Sequence, residues 1–275
     1  MGGPLSVRIV DAHVHLWDVD AMPIPWFRDD LGLPRQASAA DLGRVLAGAG
    51  VEAAIAVQAA DSVVEAAWLL GLAGTDPLAR RAVLQYDPTR FPGAGETDAA
   101  GIRAAIPQFA ADLSDVARLD DLADVLGARG QVLELLIRPE QLVAAGALSR
   151  RHPSTAIVVC HLGLGAGNPD AAWRDALTDA ATAPRLHAKV SGLALPSRDP
   201  DEAHALVRHA FDAFGADRLL FGSDWPMSVR SCTYAGVLDA TRTALPHGLD
   251  TPAFWSGTAS RLYRLPPPSE GKSPS

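Results

Sequence analysis

Short apolar runs alternate with amphipathic stretches along nearly the whole 275-residue chain, the pattern of parallel strands joined by crossover helices. Eight runs are predicted as strands: Val7–His13, Val51–Gln58, Arg81–Asp87, Gly101–Ile106, Val132–Ile137, Ala156–His161, Leu186–Leu193 and Arg218–Asp224. Most are nearly continuous Val, Ile, Leu and Ala rather than alternating, as expected of strands covered on both faces. Between them, Ser62-Val63-Val64-Glu65 has the form of a capping box. It opens a predicted helix whose Val64, Ala67, Trp68 and Gly71 share one face and which Gly74 ends. Val116, Leu119, Leu122, Val125 and Leu126 form a second apolar stripe, and Pro139 suits the first turn of a helix running to about Arg150. Val207, Ala210, Phe211 and Phe214 form a third, stopped by Gly215. Eight strand–helix units predict an α/β fold, a single (β/α)8 TIM barrel over residues 1–265. The polar, Pro-rich tail at 266–275 is expected to be disordered.

Against this apolar pattern, a few polar residues stand at strand ends. His13 and His15 close the first run, His161 the sixth and Asp224 the eighth. Chemistry in such barrels gathers at the C-terminal ends of the strands, so these four should converge on one mouth although some 200 residues separate the first from the last. Two imidazoles one residue apart on a strand point the same way and suit either a shared metal ion or acid–base work. His161 follows a buried strand, where both ring nitrogens need partners. Cys160, one residue earlier, is expected on the opposite side, packed under the helices as a small core residue. Asp224 sits in Phe221-Gly222-Ser223-Asp224-Trp225-Pro226, small residues before it and an aromatic–proline pair after. It is placed there to act as general base on water; capping the next helix is the other reading.

Composition narrows the function classes. A net charge of −8 without a Lys/Arg cluster argues against nucleic acid or an anionic membrane as partner, leaving a small-molecule substrate. No run of about 18 apolar residues and no signal-peptide pattern occurs, and the two cysteines, Cys160 and Cys232, do not suggest a disulfide framework. A cytoplasmic location is expected. The pattern says nothing about oligomeric state.

Asp11-Ala12-His13-Val14-His15-Leu16-Trp17-Asp18, Gly101-Ile102-Arg103, His161-Leu162-Gly163, Lys189-Val190-Ser191-Gly192-Leu193 and Phe221-Gly222-Ser223-Asp224-Trp225-Pro226 together resemble the amidohydrolase-related (amidohydrolase 2) family. The likeness is greatest to its branch of sugar lactonases and pyrone dicarboxylate lactonase and runs from Asp11 to Leu265. The resemblance implies a (β/α)8 hydrolase, metal-supported or metal-free, that opens a small cyclic ester, with His13, His15, His161 and Asp224 at the family's site positions. Departures matter. Strands four and five end in Arg103-Ala104-Ala105 and Ile137-Arg138 without His or Lys, so a two-metal site is not expected, and Ala104 stands where relatives often carry histidine. His187, inside the seventh strand, is read as structural.

Water attack on a lactone needs a base, a donor or cation where negative charge develops, and a proton for the departing alkoxide. Asp224 suits the first role, with His161 beside it. His13, His15, His161 and Asp224 are the candidate ligands of one divalent ion, zinc first among them, or the histidines act directly as donors. Arg103 and Arg138 are candidates to hold a carboxylate or ring hydroxyls. Trp17, Trp26 and Trp225 lie in loops after strand ends, where aromatic faces suit a sugar ring. Two rival readings remain: a metal-dependent decarboxylase or hydratase of the same superfamily acting on a carboxylate-bearing substrate, and a catalytically silent barrel used for binding.

Overall fold

All eight apolar runs are strands in the computed structural model, which describes residues 8–90, 98–165 and 169–265. They are β1 (Ile9–Val14), β2 (Val51–Val57), β3 (Ala79–Gln85), β4 (Gly101–Ala105), β5 (Val132–Leu136), β6 (Ala156–Val159), β7 (Leu186–Val190) and β8 (Leu219–Phe221), parallel and paired in chain order. Several stop short of the predicted ends, β7 and β8 most, because residues expected on the last strand positions begin the loops instead. Val7 and the tail at 266–275 lie outside the described residues.

The helices are α1 (Ala39–Leu46), α2 (Val63–Thr75), α3 (Leu119–Arg129), α4 (Leu142–Arg151), α5 (Ala171–Ala181), α6 (Pro200–Phe214), α7 (Tyr234–Ala244) and α8 (Thr258–Leu262). The predicted stripes of α3 and α6 face the sheet, and Gly215 ends α6 with φ of 72°. The expected apolar face of α2 is wrong. Val64, Ala67 and Gly71 are exposed, whereas Leu69 and Glu65 are buried, and the helix runs past Gly74 to Thr75. Its first turns are apolar nearly all round, so the sequence offers no angular contrast from which to choose a face. Ser62 Oγ does accept from the Glu65 amide at 3.3 Å, but the Glu65 carboxylate turns away to take the Ala59 and Ala60 N–H groups at 2.6 and 2.9 Å.

An apolar layer that includes Val10, Ala12, Ile55, Val83, Val158 and Leu220 fills the inside of the barrel, and a second, larger layer lies between strands and helices. The barrel closes between β1 and β8 through three bonds near their ends. His15 N–H donates to the Trp225 carbonyl at 2.6 Å and Asp224 N–H to the His13 carbonyl at 2.9 Å. The fully buried Asp11 carboxylate accepts from Ser223 N–H at 2.9 Å, with His13 N–H and Tyr234 Oη each at 3.0 Å. Asp11 thus welds the first strand to the last, directly beneath the residues that carry the candidate chemistry.

Candidate active site

On β1, strict alternation would send His13 to the outside, because Val10 and Ala12 face the interior. Between Asp11 and Val14 the register against β2 slips, three residues of β1 spanning two of β2, and this bulge inverts the alternation. Val14 and Leu16 go to the outer layer, and His13 and His15 turn into the mouth. Their rings meet edge to face with Nε2 atoms 3.2 Å apart. His15 Nδ1 lies 2.7 Å from the Val57 carbonyl, which can only accept, so that nitrogen carries the proton. Burial first, then the positive Lys189, holds His13 well below the usual histidine range, so its ring is neutral near pH 7.

The sixth strand corrects the sequence reading. Cys160 continues the inward set of Ala156 and Val158 rather than packing under the helices, its Sγ 3.4 Å from Glu134. His161 reaches the mouth because it and Leu162 both take left-handed backbone angles, φ 54° each, a turn that the Trp173 indole fixes by donating to the Leu162 carbonyl at 3.0 Å. His161 Nδ1 lies 2.9 Å from Ser191 Oγ. Gly192 is required there, since a Cβ would stand 2.4 Å from that Nδ1; Gly222 is required likewise by the His13 Cβ, which a side chain would approach to 2.8 Å.

Asp224 also sits at left-handed φ, 58°, in the loop after β8. One carboxylate oxygen lies 3.5 Å from His15 Nε2 and 3.6 Å from His13 Nε2. Burial pushes this carboxyl up, but the neighbouring His161 and His15 outweigh it and hold Asp224 below its ordinary value. It is therefore ionised at neutral pH. The mouth above it is a cavity of about 210 Å³ lined by His15, Trp26, Ala59, Arg103, Leu136, His161, Asp224 and Met227, and a smaller one on the far side shares Asp224 and Met227.

His13, His161 and Asp224 each bring a ligand atom within 4.8 Å of the others; His15 stands outside that group, though its Nε2 lies 3.2 Å from His13 Nε2 and 3.5 Å from Asp224. The donor set fits a single divalent ion in part: His15 has its Nδ1–H on a carbonyl, which leaves its Nε2 bare to ligate, and the Ser191 hydroxyl can accept from His161 Nδ1 and leave that Nε2 bare likewise. His13 differs, since its Nδ1 lies 3.3 Å from the Lys189 ammonium.

The four polar residues expected at one mouth are together. Arg103 also lines the cavity, though from within β4: it is 4% exposed and donates to Gln85 Oε1 at 2.9 Å and to the Gln58 carbonyl at 2.6 Å. Trp26 presents its ring to the cavity while its Nε1 donates to the Ala59 carbonyl at 2.8 Å. The other three expected substrate contacts are elsewhere. Arg138 is turned outward, its guanidinium on the Pro107 and Phe109 carbonyls and on Glu140, because the β4–α3 loop comes over it. Trp17 is wholly buried and donates to the Pro34 carbonyl. Trp225 is 4% exposed and serves the barrel closure through its carbonyl.

The sequence reading also missed a buried polar group beneath the mouth. Lys189 and Glu134, both fully buried, pair at 2.7 Å; Tyr263 Oη donates to the same Glu134 oxygen at 2.6 Å, and Lys189 Nζ reaches His13. Burial raises Glu134, yet Lys189 and Tyr263 outweigh it and leave the carboxyl below its usual value. Burial and then Glu134 push the Cys160 thiol up to about 12, so it is no nucleophile at neutral pH. A lysine inside Leu-His-Ala-Lys-Val and a glutamate inside Val-Leu-Glu-Leu-Leu were the available signal, since a charge within a strand covered on both faces needs a partner. His187 lies on β7 away from the mouth, its Nδ1 3.0 Å from the Arg185 carbonyl.

Comparison with known proteins agrees with this geometry. A family model described as Amidohydrolase matches residues 10–265. The chain is 31% identical over 291 positions to an L-fucono-1,5-lactonase of Burkholderia multivorans, covering 96% of this chain and 98% of the relative. A zinc-bound amidohydrolase structure from Burkholderia multivorans superposes with a TM-score of 0.82 at 29% identity, covering 94% of this chain and 100% of that one. A candidate 2-pyrone-4,6-dicarboxylic acid hydrolase from Pseudomonas putida shares the fold, with a TM-score of 0.70, 18% identity and coverage of 94% and 98%. A parallel eight-stranded barrel with its His, His, His and Asp gathered at one mouth, and a family match over residues 10–265, place this chain in the amidohydrolase family.

Proposed function

We propose that this protein is a lactonase that opens a small sugar-acid lactone, of the 1,5-lactone class, by attack of water. The observation that carries the reading is Asp224: an ionised carboxylate, partly open to a ring-sized cavity, beside a neutral, buried imidazole. Similarity to the fuconolactone-hydrolysing relative supports the substrate class.

In the proposed sequence, a lactone lies in the cavity with its apolar edge on the Trp26 ring and its carbonyl toward the histidines. Water bound at Asp224 loses a proton to the carboxylate as its oxygen attacks the carbonyl carbon. Negative charge on the former carbonyl oxygen is met by an imidazole N–H donor and by the positive field of Arg103. The ring C–O bond then breaks and the Asp224 proton passes to the departing alkoxide, which leaves a hydroxy acid. Where a divalent ion is bound, His161 and Asp224 would hold it together with one Nε2 of the His13–His15 pair, and it would supply Lewis acidity at the carbonyl oxygen.

The test is a panel of sugar 1,4- and 1,5-lactones with 2-pyrone-4,6-dicarboxylate, read by proton release with a pH indicator and run beside aromatic carboxylates read by CO2 release. Saturable proton release with a sugar 1,5-lactone is expected. Silence across all lactones, with CO2 released from a carboxylate, would replace this reading by the decarboxylase one.

A further inference from the structure

Three charged or acidic side chains lie buried where the proposed reaction does not use them: Lys189, Glu134 and Tyr263. Their arrangement is directional. Tyr263 Oη and Lys189 Nζ converge on one oxygen of Glu134, at 2.6 and 2.7 Å, and the lysine's remaining reach is toward Nδ1 of His13, at 3.3 Å. An ammonium has three N–H donors and no lone pair, so the nitrogen facing it must accept. On the other side of the same ring, His13 Nε2 lies 3.2 Å from His15 Nε2. His15 Nδ1 carries its proton because it faces the Val57 carbonyl, so in the neutral ring His15 Nε2 is an acceptor. Two independent neighbours therefore demand the same form of His13: lone pair on Nδ1, proton on Nε2.

We infer that Lys189 is a positioning residue that fixes His13 as the Nε2–H tautomer, so that His13 offers the mouth a hydrogen-bond donor and not a metal-ligating lone pair. The assignment divides the His-x-His pair. His15, with its Nδ1–H on a backbone carbonyl, has the orientation that metal-ligating histidines take; His13 faces an ammonium where a ligating histidine would need an acceptor. Glu134 and Tyr263 then hold Lys189 in place, which gives the chain a reason to bury an ion pair one layer below the site. The consequence for catalysis, an N–H that passes from His15 Nε2 to the developing oxyanion, rests on the lactonase reading; the tautomer itself does not.

The experiment reads the tautomer directly. Ring-15N histidine is incorporated into the full chain, metal is removed with chelator, and long-range 15N–1H correlation spectra are recorded near pH 7.5 without substrate, with His13 assigned by its loss in His13→Asn. Wild-type protein is expected to show His13 protonated at Nε2 and bare at Nδ1. The opposite pattern overturns the inference, and this spectrum needs no variant to fold. Lys189 is then removed as the pair Glu134→Gln/Lys189→Met, which avoids an uncompensated buried carboxylate. The pair is expected to move His13 toward the Nδ1-protonated form and to bind zinc about 10-fold more tightly, because the Nε2 lone pair becomes available to the mouth. An unchanged His13 spectrum, or zinc affinity equal to or weaker than wild type, contradicts the role given to Lys189. Lactone turnover is measured in parallel: kcat about 10-fold lower with KM within about twofold is the expected split, on the scale of one lost donor. Absence of any turnover in wild type would count against the lactonase reading alone and leave the spectrum standing.

Discussion

The floor and the mouth of this barrel are built from the same residue types and end with different valences. In the floor, Glu134 spends one oxygen on Lys189 and Tyr263 and lies 3.4 Å from the Cys160 thiol with the other, and none of the three partners meets solvent. At the mouth, Asp224 is held by its backbone, and its carboxylate stands 3.5 and 3.6 Å from two histidines, beyond good hydrogen-bond range, with part of its surface in a cavity. A carboxylate fully occupied by fixed partners can orient its neighbours but cannot take up a proton from water. One with open positions can. The comparison teaches that burial and charge alone do not mark the reacting group in this fold; unused hydrogen-bonding capacity beside a cavity does.

The largest expected effect that would break this contrast is on stability. Glu134→Ala leaves the Lys189 charge buried without its partner and should cost about 3–5 kcal/mol, measured by urea unfolding. The pair Glu134→Gln/Lys189→Met should recover most of it. A single variant as stable as wild type would mean that the floor is hydrated and no different from the mouth.

Another buried carboxylate, Glu65, sharpens the comparison through pH. Burial pushes it up to about 7 against the pull of the Ala59 and Ala60 amides and of Arg103. Since the folded value lies above the ordinary 4.5, proton binding favours the folded state: the contribution is complete below pH 4.5 and is lost as pH rises through 7. Unfolding free energy of wild type, relative to Glu65→Gln, should thus fall by up to about 3 kcal/mol between pH 4.5 and 8. Parallel pH dependences for the two proteins would show that Glu65 does not titrate in that window.

Smaller still is the difference between two arginines that look alike in the sequence. Arg103→Ala should lower kcat/KM by about 1–3 kcal/mol in transition-state terms, and it should also lower Tm, because its guanidinium ties β4 to Gln85 and to the Gln58 carbonyl. Arg138→Ala should leave kcat/KM within about twofold, since its guanidinium points to the β4–α3 loop. Equal losses of kcat/KM in the two variants would put Arg138 back in the site.

Much of this was legible in the sequence, for physical reasons that also explain the misses. Strands covered on both faces leave uninterrupted apolar runs, so all eight were visible, and barrel geometry then dictated that His13, His15, His161 and Asp224 meet. Which side each residue faces was less secure. Alternation fails at the β1 bulge and again at the left-handed turn of His161 and Leu162, so the expectation for Cys160 came out inverted. Arg138 and Trp17 follow strand ends as a substrate contact would, but where a long loop folds back is a tertiary matter that local pattern does not encode. The Lys189–Glu134 pair was the readable signal left unused: the two are 55 residues apart, on β5 and β7, and only the pairing of both strands with β6 makes them neighbours.

The central claim is that the open carboxylate at the mouth performs the proton transfer, and its most direct test is Asp224→Asn on the lactone that wild type hydrolyses best. The substitution keeps the side chain's shape and removes its charge. A fall in kcat of about 10²-fold or more is expected, with unfolding free energy within about 1 kcal/mol of wild type and KM little changed, because only the base is lost. Turnover within a few-fold of wild type would contradict the account and remove Asp224 from the mechanism.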